Sequence, residues 1–236
     1  MAFDPGKYKI NTSERFMPVV LLLDVSGSMG GDKINNLYAA TVKMIETFAE
    51  EGKKEIPYKV AIITFGASVD YHTPYADATK DLANNLSAFY ASGSTPLDMA
   101  LRMAKDLIED KSVTKTKWYR PAVVLVSDGY PDDGWESPLQ DFISKGRTAR
   151  CQRLSMGIGN ADFNMLRKFA SDDPEKISGT YKLCFKAEDA SDIVRVFKLI
   201  SVSISQTASS NKKDFPTPGS SNKTVSRPKD EDDEFT

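Results

Sequence analysis

Asp24-Val-Ser-Gly-Ser28 places one carboxylate and two hydroxyls at alternate positions, directly after the apolar run Val19–Leu23. Asp128 ends a second apolar run, Pro121-Ala-Val-Val-Leu-Val-Ser-Asp128, and Gly129 follows it. Thr95 lies in the loop Ser92-Gly-Ser-Thr-Pro96, which opens a helical pattern. Hard divalent cations are held by such oxygens. Two carboxylates neutralise a 2+ charge, and three hydroxyls extend the shell without overcharging it. Each fragment has a plainer reading. Asp24 suits a helix or turn cap, and Asp128-Gly129 is a common turn signal. Thr95 with Asp98 makes a capping-box pattern that would compete for the same hydroxyl. Strand alternation explains neither terminal Asp, whereas a bound cation explains both. Octahedral Mg²⁺ suits a compact site of this kind, and Mn²⁺ and Ca²⁺ also accept oxygen ligands.

These residues need a scaffold that brings three loops to one edge. The strand at about 17–24 is short and apolar, as expected inside a parallel sheet. A helix follows, with Ile34, Leu37, Met44, Ile45 and Phe48 on one face and Gly52 ending it. Tyr58–Phe65 reads as a strand, and Ser68–Thr73 as a short edge strand ended by Pro74. A weak helix covers about 78–88, and Pro96 fits the first position of the next. Ser137-Pro138 opens a further helix, with Gln140 completing a capping box. Leu154–Ile158 and Tyr181–Phe185 read as strands, with a helix at about 162–171 between them and a last helix at about 189–205. Alternating strands and helices indicate an α/β chain with a mainly parallel sheet. In such sheets ligands bind at the carboxyl ends of the strands.

The length of 236 residues and the 40% hydrophobic content support one sizeable core. We divide the chain into an N-terminal lead at 1–16, one domain at 17–206, and a tail at 207–236. The tail is rich in Ser, Lys and Pro and ends in Asp230-Glu-Asp-Asp-Glu234, too polar to fold alone. Thr217 and Thr224 offer hydroxyls for phosphorylation there. A net charge of -2 provides no basic field for nucleic acid. The N-terminus lacks the apolar core of a signal peptide, and no stretch suits a membrane span, so the chain reads as cytoplasmic. Cys151 and Cys184 read as free thiols.

The constellation Asp24-x-Ser26-x-Ser28, Thr95 and Asp128 resembles the metal-ion-dependent adhesion site of von Willebrand factor type A domains. The resemblance covers about residues 17–205. It implies a Rossmann-like three-layer sandwich: a six-stranded, mostly parallel sheet with one short antiparallel edge strand and helices on both faces. It implies Ser26, Ser28 and Thr95 as direct ligands, with Asp24 and Asp128 bound directly or through water. It also implies a coordination position offered to a partner's Asp or Glu. Gly30, Gly93, Ser94, Tyr130, Pro131 and Asp132 should line the rim, with Tyr130 either an aromatic anchor or local packing. Met17-Pro18-Val19 and Thr64-Phe65-Gly66 make the chain similar to small bacterial proteins of the TerY type, associated with tellurium resistance and stress. That similarity implies a protein kinase and a protein phosphatase as partners and no catalytic activity.

Two other classes fit these residues less well. A Mg²⁺-dependent phosphoryl-transfer hydrolase would need Asp where Ser26 stands. A Ser–His–Asp hydrolase would have only His72 to use, on the expected edge strand, where it reads as a surface residue. A scaffold with a purely structural metal is the third alternative.

Overall fold

The computed structural model describes residues 15–54, 56–171 and 183–213. Thr217, Thr224, the acidic run and most of the lead lie outside the described residues, as does Tyr181. Six strands form one sheet: β1 (Met17–Asp24), β2 (Tyr58–Phe65), β3 (Val69–Asp77), β4 (Ala122–Ser127), β5 (Gln152–Ile158) and β6 (Cys184–Ala187). The order is β3-β2-β1-β4-β5-β6, and every pairing is parallel except β2 with β3. Chain order reverses between β1 and β4, so the crevice beyond their carboxyl ends is the sheet's switch point.

Every residue of β1 is buried, because helices cover both faces. Alternate side chains point to opposite sides. Val19, Leu21 and Leu23 meet α1 (Asp32–Gly52), α2 (Lys80–Asn84) and α6 (Asp192–Lys213), where Leu37, Ile45, Phe48, Phe197 and Ile200 close the core. Val20 and Leu22 meet α3 (Leu97–Glu109), α4 (Glu136–Ser144) and α5 (Phe163–Phe169), through Leu101, Phe142 and Phe169. The three-layer expectation holds.

Several local expectations change. The edge strand continues past Pro74 to Asp77, because Pro74 falls where the β2–β3 register shifts between Val60 and Ile62. A residue without an N–H is tolerated at such an edge irregularity. The helix expected at 78–88 shrinks to Lys80–Asn84, capped by Thr79, which accepts from the Leu82 N–H. Neither expected capping box forms. Pro96 itself occupies the cap position of α3, so Thr95 lies one residue too early to cap it. α4 begins at Glu136 with Trp135 at its cap, which carries Ser137 inside the helix. α6 runs on to Lys213, beyond the tail boundary expected at 207. His72 is half-buried, edge-on to Phe89 at 4.8 Å between ring centroids, rather than a surface residue. Among the described residues no helix is long and apolar enough to cross a membrane. Cys151 is buried and Cys184 partly so, both as free thiols. Burial pushes the Cys151 thiol up to about 12, so it is inert at neutral pH.

Candidate metal centre

The two strand-ending carboxylates converge because β1 and β4 are neighbours in register, Leu23 standing opposite Val126. Asp24 is wholly buried at the end of β1. Its Oδ1 accepts the Ser26 N–H at 2.8 Å, which turns the chain out of the sheet. Its Oδ2 accepts the Ser127 hydroxyl at 2.6 Å, from the last residue of β4. A short 3-10 turn over Gly27–Met29 then carries Ser28 back toward Asp128.

Ser28 Oγ donates to Asp128 Oδ1 at 2.7 Å. Its single proton is thereby used, so Ser26 Oγ donates to Ser28 Oγ across their 3.0 Å contact. One chain of polar contacts therefore runs from Ser26 through Ser28 to Asp128, with Asp24 held beside it. Ser26 and Asp128 are buried, whereas Ser28 is open to solvent. The group is a desolvated acidic floor with an accessible mouth.

Thr95 joins this floor through the backbone of its loop. The Gly27 N–H donates to Gly93 O at 3.0 Å, and the Ser92 N–H to Val25 O at 2.8 Å. Gly93 has φ +78, and a Cβ there would lie 2.3 Å from Ala67 Cα. Only glycine lets this loop pass so close to the loop at Ala67. Thr95 is buried. Its N–H donates to Asp132 Oδ1 at 3.3 Å, and its carbonyl accepts the Asp132 N–H at 3.0 Å. All five expected donors thus stand at the carboxyl ends of strands or on the loops beside them, at one edge of the sheet, four of them linked by hydrogen bonds within the group.

The expected rim is open to solvent. Gly30, Gly93, Ser94, Tyr130 and Asp132 are exposed, and Pro131 is half-buried. Gly93 and Asp132 also shape the centre, as the loop crossing and as the clamp on Thr95. Tyr130 is 73% exposed, which favours the anchor over local packing. Beyond it lies a cleft lined by Phe163, Arg167 and Lys186.

Two participants were not foreseen. Ser127 is one, and an apolar strand that ends in Ser-Asp is its only sequence signal. Lys33 is the other: its Nζ donates to Asp128 Oδ2 at 2.5 Å and to Ser28 O at 3.2 Å. Lys33 stands in the first turn of α1, where the helix dipole disfavours a cation. That mismatch was the legible sign that it answers a nearby acid.

Electrostatics favour a cation here. Burial pushes the Asp24 carboxyl above the ordinary carboxylate range, opposed by the hydrogen bonds from Ser127 and Ser26 and reinforced by Asp128. A 2+ ion would favour the charged form. The Lys33 ammonium already rests on Asp128 as a stand-in cation. Among the described residues no three His, Cys, Asp or Glu side chains converge. The donors are hard oxygens with two carboxylates, and they fit Mg²⁺ or Mn²⁺ better than a soft metal.

Residues 19–198 match the model of the von Willebrand factor type A domain. The chain belongs to that family. Type A domains commonly act as metal-dependent modules for protein interaction. Matrilin-3 of Gallus gallus is 25% identical over 164 residues, which span 67% of this chain and 35% of that protein. Proximal thread matrix protein 1 from the mussel byssus shares the fold, with a TM-score of 0.62 at 15% identity over 80% of this chain and 47% of that one. A form of the same mussel protein, with its MIDAS motif occupied by zinc, has a TM-score of 0.60 at 16% identity over 80% and 48% of the two chains. The type A domain of the pilus tip protein Mfa5 from Porphyromonas gingivalis aligns over 82% of this chain and 96% of its own, with a TM-score of 0.60 at 12% identity.

Proposed function

We propose that this type A domain recognises a protein partner through a divalent cation held by Asp24, Ser26, Ser28, Thr95 and Asp128, without catalysing a reaction. The observation that carries the reading is the buried pair of strand-ending carboxylates joined through Ser26 and Ser28, with a cation already resting on one of them. A bound Mg²⁺ or Mn²⁺ would supply a Lewis-acidic position for an incoming carboxylate. The chain's own part is to fix the donors. Ser127 and the Ser26 N–H hold Asp24, while Asp132 and the Gly93 crossing hold Thr95. Ser28 keeps the mouth open to a partner's Asp or Glu. Tyr130 offers an aromatic contact beside it, and Arg167 and Lys186 give the adjoining cleft basic side chains suited to an acidic partner surface.

The resemblance to TerY-type proteins supports a narrower role: a cytoplasmic bacterial stress or tellurium-resistance system with a kinase and a phosphatase as partners. Thr217 and Thr224 would then be phosphorylation sites. Intact-mass measurement after incubation with such a kinase tests that part, and an unmodified tail contradicts it.

Lys33 beside Asp128 is the feature a phosphoryl-transfer hydrolase would also use. The would-be nucleophile argues against that reading. Asp24 is wholly buried, and both of its oxygens are engaged by Ser26 and Ser127. A structural-metal scaffold would unfold in Asp128→Ala, whereas a recognition module would stay folded and lose its partner. The deciding experiment is a pull-down from native extract with and without chelator, comparing wild type with Asp24→Ala. A partner lost in both tests supports recognition. A partner retained in both, or a metal-dependent phosphatase activity lost in Asp24→Ala, overturns it.

A further inference from the structure

Lys33 is the side chain that the recognition reading leaves without a role. Its ammonium lies 2.5 Å from Asp128 Oδ2 and 3.2 Å from Ser28 O, so it sits against one expected metal donor and the backbone of another. The Asp128 side chain is fully buried, while the Lys33 side chain keeps 35% of its exposure. The acid cannot leave the centre, but the ammonium can. Lys33 is also held on α1 by a backbone that starts at Asp32 directly after Gly31, whose φ of 75 sets the turn out of the metal loop. The four-carbon stem is therefore anchored at the rim and reaches in.

We propose that Lys33 is a tethered competitor for the divalent cation. With the ammonium seated, Asp128 accepts Ser28 through Oδ1 and Lys33 through Oδ2, and its charge is neutralised. A 2+ ion placed among the same oxygens repels the ammonium at short range. Metal binding at Asp128 therefore displaces Lys33 outward, along its exposed stem. Two consequences follow. Metal affinity is set below what the five oxygens alone would give. The released ammonium stands at the mouth, where it adds positive charge facing an arriving partner carboxylate. Metal loading and readiness for an acidic partner are thus coupled through one side chain. This rests on the reading that the centre takes a divalent cation.

The test is calorimetric titration of Mn²⁺ into wild type, Lys33→Met and the double variant Lys33→Met/Asp128→Asn, with folding checked by circular dichroism. Lys33→Met should bind Mn²⁺ roughly two- to fivefold more tightly, the size expected for release of one partly exposed ion pair. The double variant should lose that gain. In wild type, acetylation of Lys33 by limiting acetic anhydride, read by peptide mass, should rise when Mn²⁺ is added. That readout stands even where a variant folds poorly. Equal or weaker Mn²⁺ affinity in folded Lys33→Met overturns the competitor role, as does Lys33 reactivity that Mn²⁺ leaves unchanged or lowers. If neither folded wild type nor folded Lys33→Met binds Mn²⁺, the metal reading fails and the competitor role fails with it.

Discussion

The Ser127 hydroxyl donates to Asp24 Oδ2 at 2.6 Å, tying the last residue of β4 to the last residue of β1. This bond fixes the deepest acid of the centre from the neighbouring strand. Ser127→Ala leaves that buried oxygen without its donor. The expected loss is about 1.5–3 kcal/mol, the range for a hydrogen bond to a charged group. Urea unfolding of the chelated protein measures it. A loss near zero would mean that Asp24 is protonated or re-solvated in the fold.

Gly93 is the crossing point between the Thr95 loop and the loop at Ala67. Gly93→Ala forces a side chain onto a backbone with φ +78 and against Ala67. The expected destabilisation is about 1–3 kcal/mol. Thr95 shifts with the loop, so Mn²⁺ affinity should fall further than in Ser94→Ala, whose side chain is exposed. Comparing the two variants by calorimetry separates loop geometry from a general surface effect.

Tyr130 is exposed beside the centre and should matter only to the partner. Tyr130→Ala is expected to change stability by no more than about 0.5 kcal/mol. Capture of the metal-dependent partner should nonetheless drop several-fold. Unchanged capture would remove Tyr130 from the interface.

Burial lowers the His72 pKa below its usual 6.5, against the opposing pull of the Ser87 and Ala88 backbone. The unfolded chain therefore takes up a proton at a higher pH than the folded one. The His72 contribution is fully present above the unfolded value and is lost as pH falls through 6.5 toward the folded value. Unfolding free energies measured from about pH 8 down to about pH 5 should show this acid-side loss, and His72→Gln should flatten it. An unchanged slope in the variant would assign the loss to other groups.

Much of the scaffold was legible because burial leaves a pattern. β1 and β4 are apolar runs that only a doubly covered sheet explains, and the α1 and α6 stripes repeat at helical spacing. What failed was local geometry decided by neighbours. Pro74 looks like a strand end, yet the β2–β3 bulge absorbs it. Thr95 and Ser137 look like caps, yet Pro96 and Trp135 take those positions. In the centre, the five candidate donors could be picked out by type and spacing, and the fold brings four of them into one hydrogen-bonded group. Asp132 is exposed at the expected rim, and its added pairing with Thr95 depends on how two loops meet. Lys33 lies only nine positions after Asp24, but its reach to Asp128 is set by the β1–β4 pairing.

The central claim is that the oxygens of Asp24, Ser26, Ser28, Thr95 and Asp128 form one cation site. Crystals grown with MnCl₂, with anomalous scattering collected at the manganese edge, test it most directly. The account predicts a single strong peak within coordination distance of the Ser26, Ser28 or Thr95 hydroxyls and the Asp128 carboxylate, with Lys33 withdrawn. A crystal whose manganese lies elsewhere, or which leaves this centre without a peak and Lys33 still on Asp128, would contradict it.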